Sequence, residues 1–151
     1  MALSVYTDGG CLGNPGPGGW AYVIVLRTFQ GERIVNEGKG AEKHTTNNRM
    51  ELQAVISALR ALKAARGLPQ QAAVFTDSQY VQKGITEWIL LWKRNNWRTS
   101  AKQPVKNQDL WKELDAMTGE LKLQWKWVKG HAGNLWNERC DRMVKRALAA
   151  L

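Results

Sequence analysis

The sequence predicts an α/β fold: a mixed β-sheet with helices on its faces. Three observations predict it. Strand-like stretches dominate the first 41 residues, with a hairpin signal between the second and third. Helical and strand patterns then alternate to the C-terminus. A long amphipathic segment separates two apolar runs that each end in Thr-Asp, as a helical crossover between parallel neighbours would.

Each element has its own signal. Leu3–Asp8 alternates Leu3, Val5 and Thr7 with Ser4 and Tyr6 and reads as a strand. Gly9–Gly19, dense in Gly and Pro, reads as a loop. Trp20–Arg27 is a mostly apolar strand, Gln30-Gly31 a turn, and Arg33–Ala41 the returning strand. Thr45–Asn48 offers N-caps to a helix over Met50–Arg66, which Gly67 and Pro69 stop. Ala72–Thr76 is a short buried strand. Ser78–Gly84 and Thr86–Asn96 are two helical pieces, followed by a polar loop to Pro104. Asp109–Thr118 reads as a helix, Leu121–Val128 as a strand, Lys129–Gly133 as a loop and Leu135–Ala150 as the last helix.

The length, 151 residues, suits one domain that buries about 68–70% of the surface its unfolded chain exposes. Two cysteines exclude a disulfide framework or a Cys-rich zinc site. The N-terminus lacks the basic and apolar regions of a signal peptide, and no apolar run nears the ~20 residues of a membrane helix. A cytoplasmic, reducing setting and no membrane partner are expected. The formal charge is +9, from 22 Lys and Arg against 13 acids, and points to a polyanion: nucleic acid first, an anionic membrane second. Residues 93–112 hold Lys93, Arg94, Arg98, Lys102, Lys106 and Lys112 against Asp109 alone, with Trp88, Trp92, Trp97 and Trp111 in or beside them. Basic residues among aromatics suit phosphates and sugars or bases; a solvated face over buried Trp side chains accounts equally for the pattern.

Asp8 and Asp77 each end an apolar strand, where ligands gather in open α/β sheets. Adjacent there, they would repel unless a cation lay between them; alternatively each is a helix N-cap. On a helical wheel Glu51 lies about 20° from Leu62, and Asp141 about 20° from Leu148, each at the boundary of an apolar arc. Four carboxylates without His or Cys suit Mg²⁺, with Mn²⁺ a substitute, and a cluster of four suits two ions. His131, between Gly130 and Gly133, sits where an imidazole can move and titrate, or is a plain surface His. His44 precedes a helix start and suits an anion or solvent. Asn14, Thr46, Asn47, Asn48 and Gln79 flank the acids and suit 2′-hydroxyls, or serve as turn and cap residues. Cys11 and Cys140 each lie near one of the acids and are expected as plain thiols.

The motifs YTDGGCLGNPGPGGWA, TTNNRMELQA, FTDSQYVQKGITEW, PVKNQDLW and WVKGHAGNLWNERCD, in this order and spacing, resemble bacterial type 1 ribonuclease H from Leu3 to the final helix. The resemblance implies a ribonuclease H-like fold, a five-stranded mixed sheet with helices on both faces, in one domain over residues 1–151. It implies endonucleolytic hydrolysis of the RNA strand of RNA–DNA hybrids, leaving 5′-phosphate and 3′-hydroxyl ends. The metal carboxylates map onto Asp8, Glu51, Asp77 and Asp141. The histidine of proton transfer or product release maps onto His131. RNA-strand contacts map onto Asn14, Asn47, Asn48 and Gln79. A DNA-phosphate pocket maps onto Thr46 and Asn107, with His44 where relatives often have Arg. A basic protrusion maps onto about residues 84–102, with Lys93, Arg94, Arg98 and Lys102 as its cations and Tyr80, Trp88 and Trp92 along the DNA strand. A monomer is expected. Two departures stand out: Leu135-Trp136 follows His131 where Pro and an acid are common, and Leu90-Leu91 makes the protrusion more apolar. The rival readings are a non-catalytic nucleic-acid-binding domain and a DNA nuclease or strand-transfer enzyme on the same fold.

Overall fold

Ala2–Cys11 (β1), Gly16–Thr28 (β2) and Gly31–Thr45 (β3) pair antiparallel in sequence order in this computed structural model, which describes residues 2–128 and 134–151. Gln71–Thr76 (β4) runs parallel to β1, and Lys122–Trp127 (β5) parallel to β4. The five-stranded sheet has the order β3-β2-β1-β4-β5, so the expected mixed sheet is present and the Thr-Asp strands are adjacent.

Burial in β2 shows how the layers form. Residues Ala21–Leu26 are all buried, because both faces of this strand are covered. The period of two sends Tyr22, Ile24 and Leu26 into one core and Ala21, Val23 and Val25 into the other. The first core is closed by Asn47–Ala64 (α1) and Gln108–Thr118 (α4), through residues such as Leu52, Ile56, Leu59, Trp111 and Leu114. The second is closed by Leu135–Ala149 (α5), through Cys140, Met143 and Val144. Helices therefore cover both faces.

Two expectations need correction. Most of Gly9–Gly19 is strand: Gly9, Gly10 and Cys11 pair with Trp20, Gly19 and Gly18, leaving residues 12–15 as the connection. The two helical pieces after Asp77 are one run. Gln79–Lys83 (α2) continues through a π-helical turn at Gly84–Trp88 into Ile89–Arg94 (α3). The turn lies where Gly84 meets Trp111; a Cβ on Gly84 would lie 2.0 Å from Cη2 of that indole. The expected loop Lys129–Gly133 lies outside the described residues. Among the described residues, no helix is long and apolar enough to cross a membrane.

Candidate metal centre

The parallel register carries two aspartates to one place. Tyr6 is paired with Phe75, and Asp8 and Asp77 each lie two residues further along. Neither caps a helix: Asp8 is within β1, and the cap of α2 is Ser78, whose Oγ accepts from the Val81 amide at 3.2 Å. Glu51 reaches the pair because α1 packs directly on β1 at Gly9. A Cβ there would lie 2.5 Å from the Met50 carbonyl carbon and 2.6 Å from the Glu51 nitrogen, so any side chain would push Glu51 away. As a result, one carboxylate oxygen each from Asp8, Glu51 and Asp77 lie within 4.8 Å of one another. Asp141 lines the same cleft as Asp8 and Asp77 and pairs with Lys145 at 3.0 Å, one turn along α5.

Burial and mutual repulsion penalise charge here. The Asp8 carboxyl is pushed up to about 7, first by desolvation and then by Asp77 and Asp141. Glu51 is raised well above the ordinary carboxylate range, first by burial and then by Asp8 and Asp77, with the Gly9 amide opposing. Glu51 Oε2 is buried and has no hydrogen-bond partner among the described residues. A buried, orphaned carboxylate oxygen beside two further carboxylates is costly alone and fits a cation. Oxygen-only donors fit a hard divalent ion.

Most of the other predicted residues lie among the described positions. Asn14 Oδ1 accepts from the Asn47 amide at 3.2 Å, so the β1–β2 connection is tied to the start of α1. Thr46 is the N-cap of α1, accepting from the Arg49 amide at 3.3 Å. Asn47 and Asn48 are exposed in the first turn of α1, Gln79 is exposed at the start of α2, and His44 is exposed near the end of β3. Asn107 Nδ2 donates to the Tyr80 hydroxyl at 3.1 Å, and Trp111 Nε1 donates to the same oxygen at 2.9 Å. Trp92 packs with Trp88, Trp97 and Trp111 at ring separations of 5.4–6.2 Å, so the aromatic stripe is substantially core. Arg94, Arg98 and Lys102 are exposed, whereas Lys93 pairs with Asp115 at 3.3 Å. His131 lies outside the described residues. Cys11 and Cys140 are free thiols; Cys11 Sγ donates to the carbonyls of Gly16 and Thr45, and Cys140 Sγ to that of Tyr6.

Sequence reasoning passed over several residues. Arg49 donates from Nη1 to Asn107 Oδ1 at 3.3 Å and forks onto Asp109 at 3.0 and 2.8 Å, joining the start of α1 to α4. Its signal was an Arg three residues after the cap. Asn134, Asn137 and Glu138 line the cleft with the acids. Their signal was the spacing from Asp141, one or two turns back on one helix face.

This mixed sheet, with oxygen donors gathered past the paired ends of β1 and β4, defines an α/β protein with an acidic site at its central parallel strands. The RNase H family model matches residues 1–149, and the chain belongs to the ribonuclease H family. A ribonuclease H of Treponema denticola is 54% identical over 157 aligned positions, covering 97% of each chain. Among solved structures, LC9-RNase H1, a type 1 RNase H with the type 2 active-site motif, is similar with a TM-score of 0.87 and 31% identity. That match covers 99% of this chain and 72% of the other. LC11-RNase H1, solved in complex with an RNA/DNA hybrid, shares the fold at a TM-score of 0.73 and 24% identity, covering 98% and 97%.

Proposed function

We propose that the chain hydrolyses the RNA strand of RNA–DNA hybrids endonucleolytically, leaving 5′-phosphate and 3′-hydroxyl ends, with Mg²⁺ as its metal. The observation that carries this reading is the carboxylate cluster of Asp8, Glu51 and Asp77 with the orphaned Glu51 oxygen, in a chain of this family. These three and Asp141 would hold the divalent ions, and Mn²⁺ would fit the same donors. When bound, a pair of such ions activates water and stabilises the leaving oxygen. The chain's own residues supply the rest. Gly9 keeps α1 close enough for Glu51 to join the aspartates. Asn47 and Asn48, exposed in the first turn of α1, and Gln79, exposed at the start of α2, would meet the RNA strand's 2′-hydroxyls. Thr46, Asn107, Tyr80 and the aromatic cluster behind them serve the DNA strand, with His44 at that pocket's edge. Arg94, Arg98 and Lys102, with Lys93 after release from Asp115, supply phosphate attraction. His131 would move protons or assist product release. The reading keeps the expectation of a cytoplasmic monomer; light scattering tests the oligomeric state.

The test is Asp8→Asn. It removes a donor and leaves the basic grip intact, so hybrid cleavage should be lost while hybrid affinity stays. Normal turnover of the variant with Mg²⁺ would overturn the assignment. Retained affinity of the wild type without cleavage under any divalent ion would favour a non-catalytic binding domain.

A further inference from the structure

Beneath the acids lies an aromatic layer. Tyr6 and Phe75 stack at 4.8 Å with their planes 9° apart, across the β1–β4 pair and one pleat before Asp8 and Asp77. The third member is Trp136, the second residue of α5, 6.5 Å from Tyr6. Its indole N–H donates to Glu32 Oε2 at 2.8 Å. The other Glu32 oxygen accepts from Arg27 Nε and Nη2 at 3.0 and 2.7 Å, which fixes Glu32 against β2. One turn further, Arg139 forks onto Glu37 at 2.8 and 3.0 Å, so α5 is tied to β3 twice.

These ties matter because of what the start of α5 carries. Asn134 caps the helix through the Trp136 and Asn137 amides at 3.0 and 3.1 Å, and Asn134, Asn137, Glu138 and Asp141 form one wall of the cleft that holds Asp8 and Asp77. Yet the buried residues of α5 begin only at Cys140, and Leu135 is exposed. Trp136 is therefore the large apolar anchor of the first turn.

We infer that Trp136 is a positioning residue: seated on Tyr6 and tethered to Glu32, it sets where the α5 wall, with Asp141, meets Asp8 and Asp77. The inference rests on the reading of these acids as a cation site.

The experiment measures MnCl₂ binding by titration calorimetry, together with kcat and KM for hybrid cleavage, in the wild type, Trp136→Phe, Glu32→Ala, Glu32→Gln and Asp8→Asn. Phe keeps a ring and removes the donor; Glu32 is at the surface, so its variants fold even where a Trp136 variant fails. Trp136→Phe and Glu32→Ala should weaken Mn²⁺ at least ~5-fold and lower kcat with KM unchanged. Glu32→Gln, whose amide oxygen still accepts, should stay within about 2-fold of wild type. Mn²⁺ affinity and kcat within about 2-fold of wild type in both Trp136→Phe and Glu32→Ala would overturn the inference. If Asp8→Asn alone loses Mn²⁺, only the tether is refuted; if Asp8→Asn binds Mn²⁺ like the wild type, the acid-site reading falls and the inference with it.

Discussion

Removing one carboxylate from this cluster should make the metal-free protein more stable, and increasingly so as pH rises. Asp8 has an ordinary value of 3.8 in the unfolded chain and about 7 in the folded one. The shift is upward, so the folded state binds the proton more tightly. Its stability is fully present below about pH 4 and is lost as pH rises through 7. For Asp8 alone, the loss relative to the protonated form is about 2 kcal/mol at pH 5 and about 4 kcal/mol at pH 8. Asn is uncharged at both values and escapes the loss. Urea unfolding of wild type and Asp8→Asn in EDTA, followed by circular dichroism at pH 5 and pH 8, reads the difference. The variant should be the more stable at both, with the gap widening by about 2–3 kcal/mol between them. Mg²⁺ should narrow the gap at pH 8 by stabilising the wild type. Parallel pH profiles, or a variant less stable than the wild type at pH 8, would refute the claim that the cluster is electrostatically strained without a cation.

Three further outcomes are expected. Gly84→Ala puts a methyl 2.0 Å from Trp111 Cη2 and should cost about 1–3 kcal/mol in urea unfolding; an unchanged midpoint would mean the indole is free to shift. Tyr80→Phe strands the donors of Trp111 and Asn107 and should cost about 1–3 kcal/mol, and a change below about 0.5 kcal/mol would show that both find other partners. Replacing Lys93, Arg94 and Arg98 with Ala should reduce the salt dependence of hybrid binding, with Lys93 contributing least because Asp115 already pairs with it. An unchanged slope in titrations from low to high salt would mean these cations do not meet phosphates.

The sheet was legible where side chains alternate and obscure where glycine does the packing. Leu3, Val5 and the two Thr-Asp ends identify neighbouring parallel strands because period and crossover rules act on such residues directly. Gly9, Gly18 and Gly19 read as a loop, yet they are paired strand; at Gly9 the missing side chain is what admits α1. Gly84 misled in the same way, looking like a break between helices where it accepts the face of Trp111 across a continuous run. The acids could be chosen from their places on strand ends and helix faces. Their separations, the orphaned oxygen of Glu51 and the Arg49–Asp109 fork depend on contacts between distant segments, which local patterning does not encode. The Trp136–Glu32 tether spans more than a hundred residues and is visible only in the folded chain.

A metal-dependent hybrid ribonuclease built on this acidic cluster must need both the hybrid and the metal. Cleavage of an RNA–DNA hybrid with an end-labelled RNA strand, in Mg²⁺ and in EDTA, beside double-stranded DNA and double-stranded RNA of the same sequence, measures both requirements. Internal cleavage of the hybrid's RNA strand alone, in Mg²⁺ and not in EDTA, is the predicted result. Cleavage that persists in EDTA, or that falls equally on the control duplexes, would contradict it.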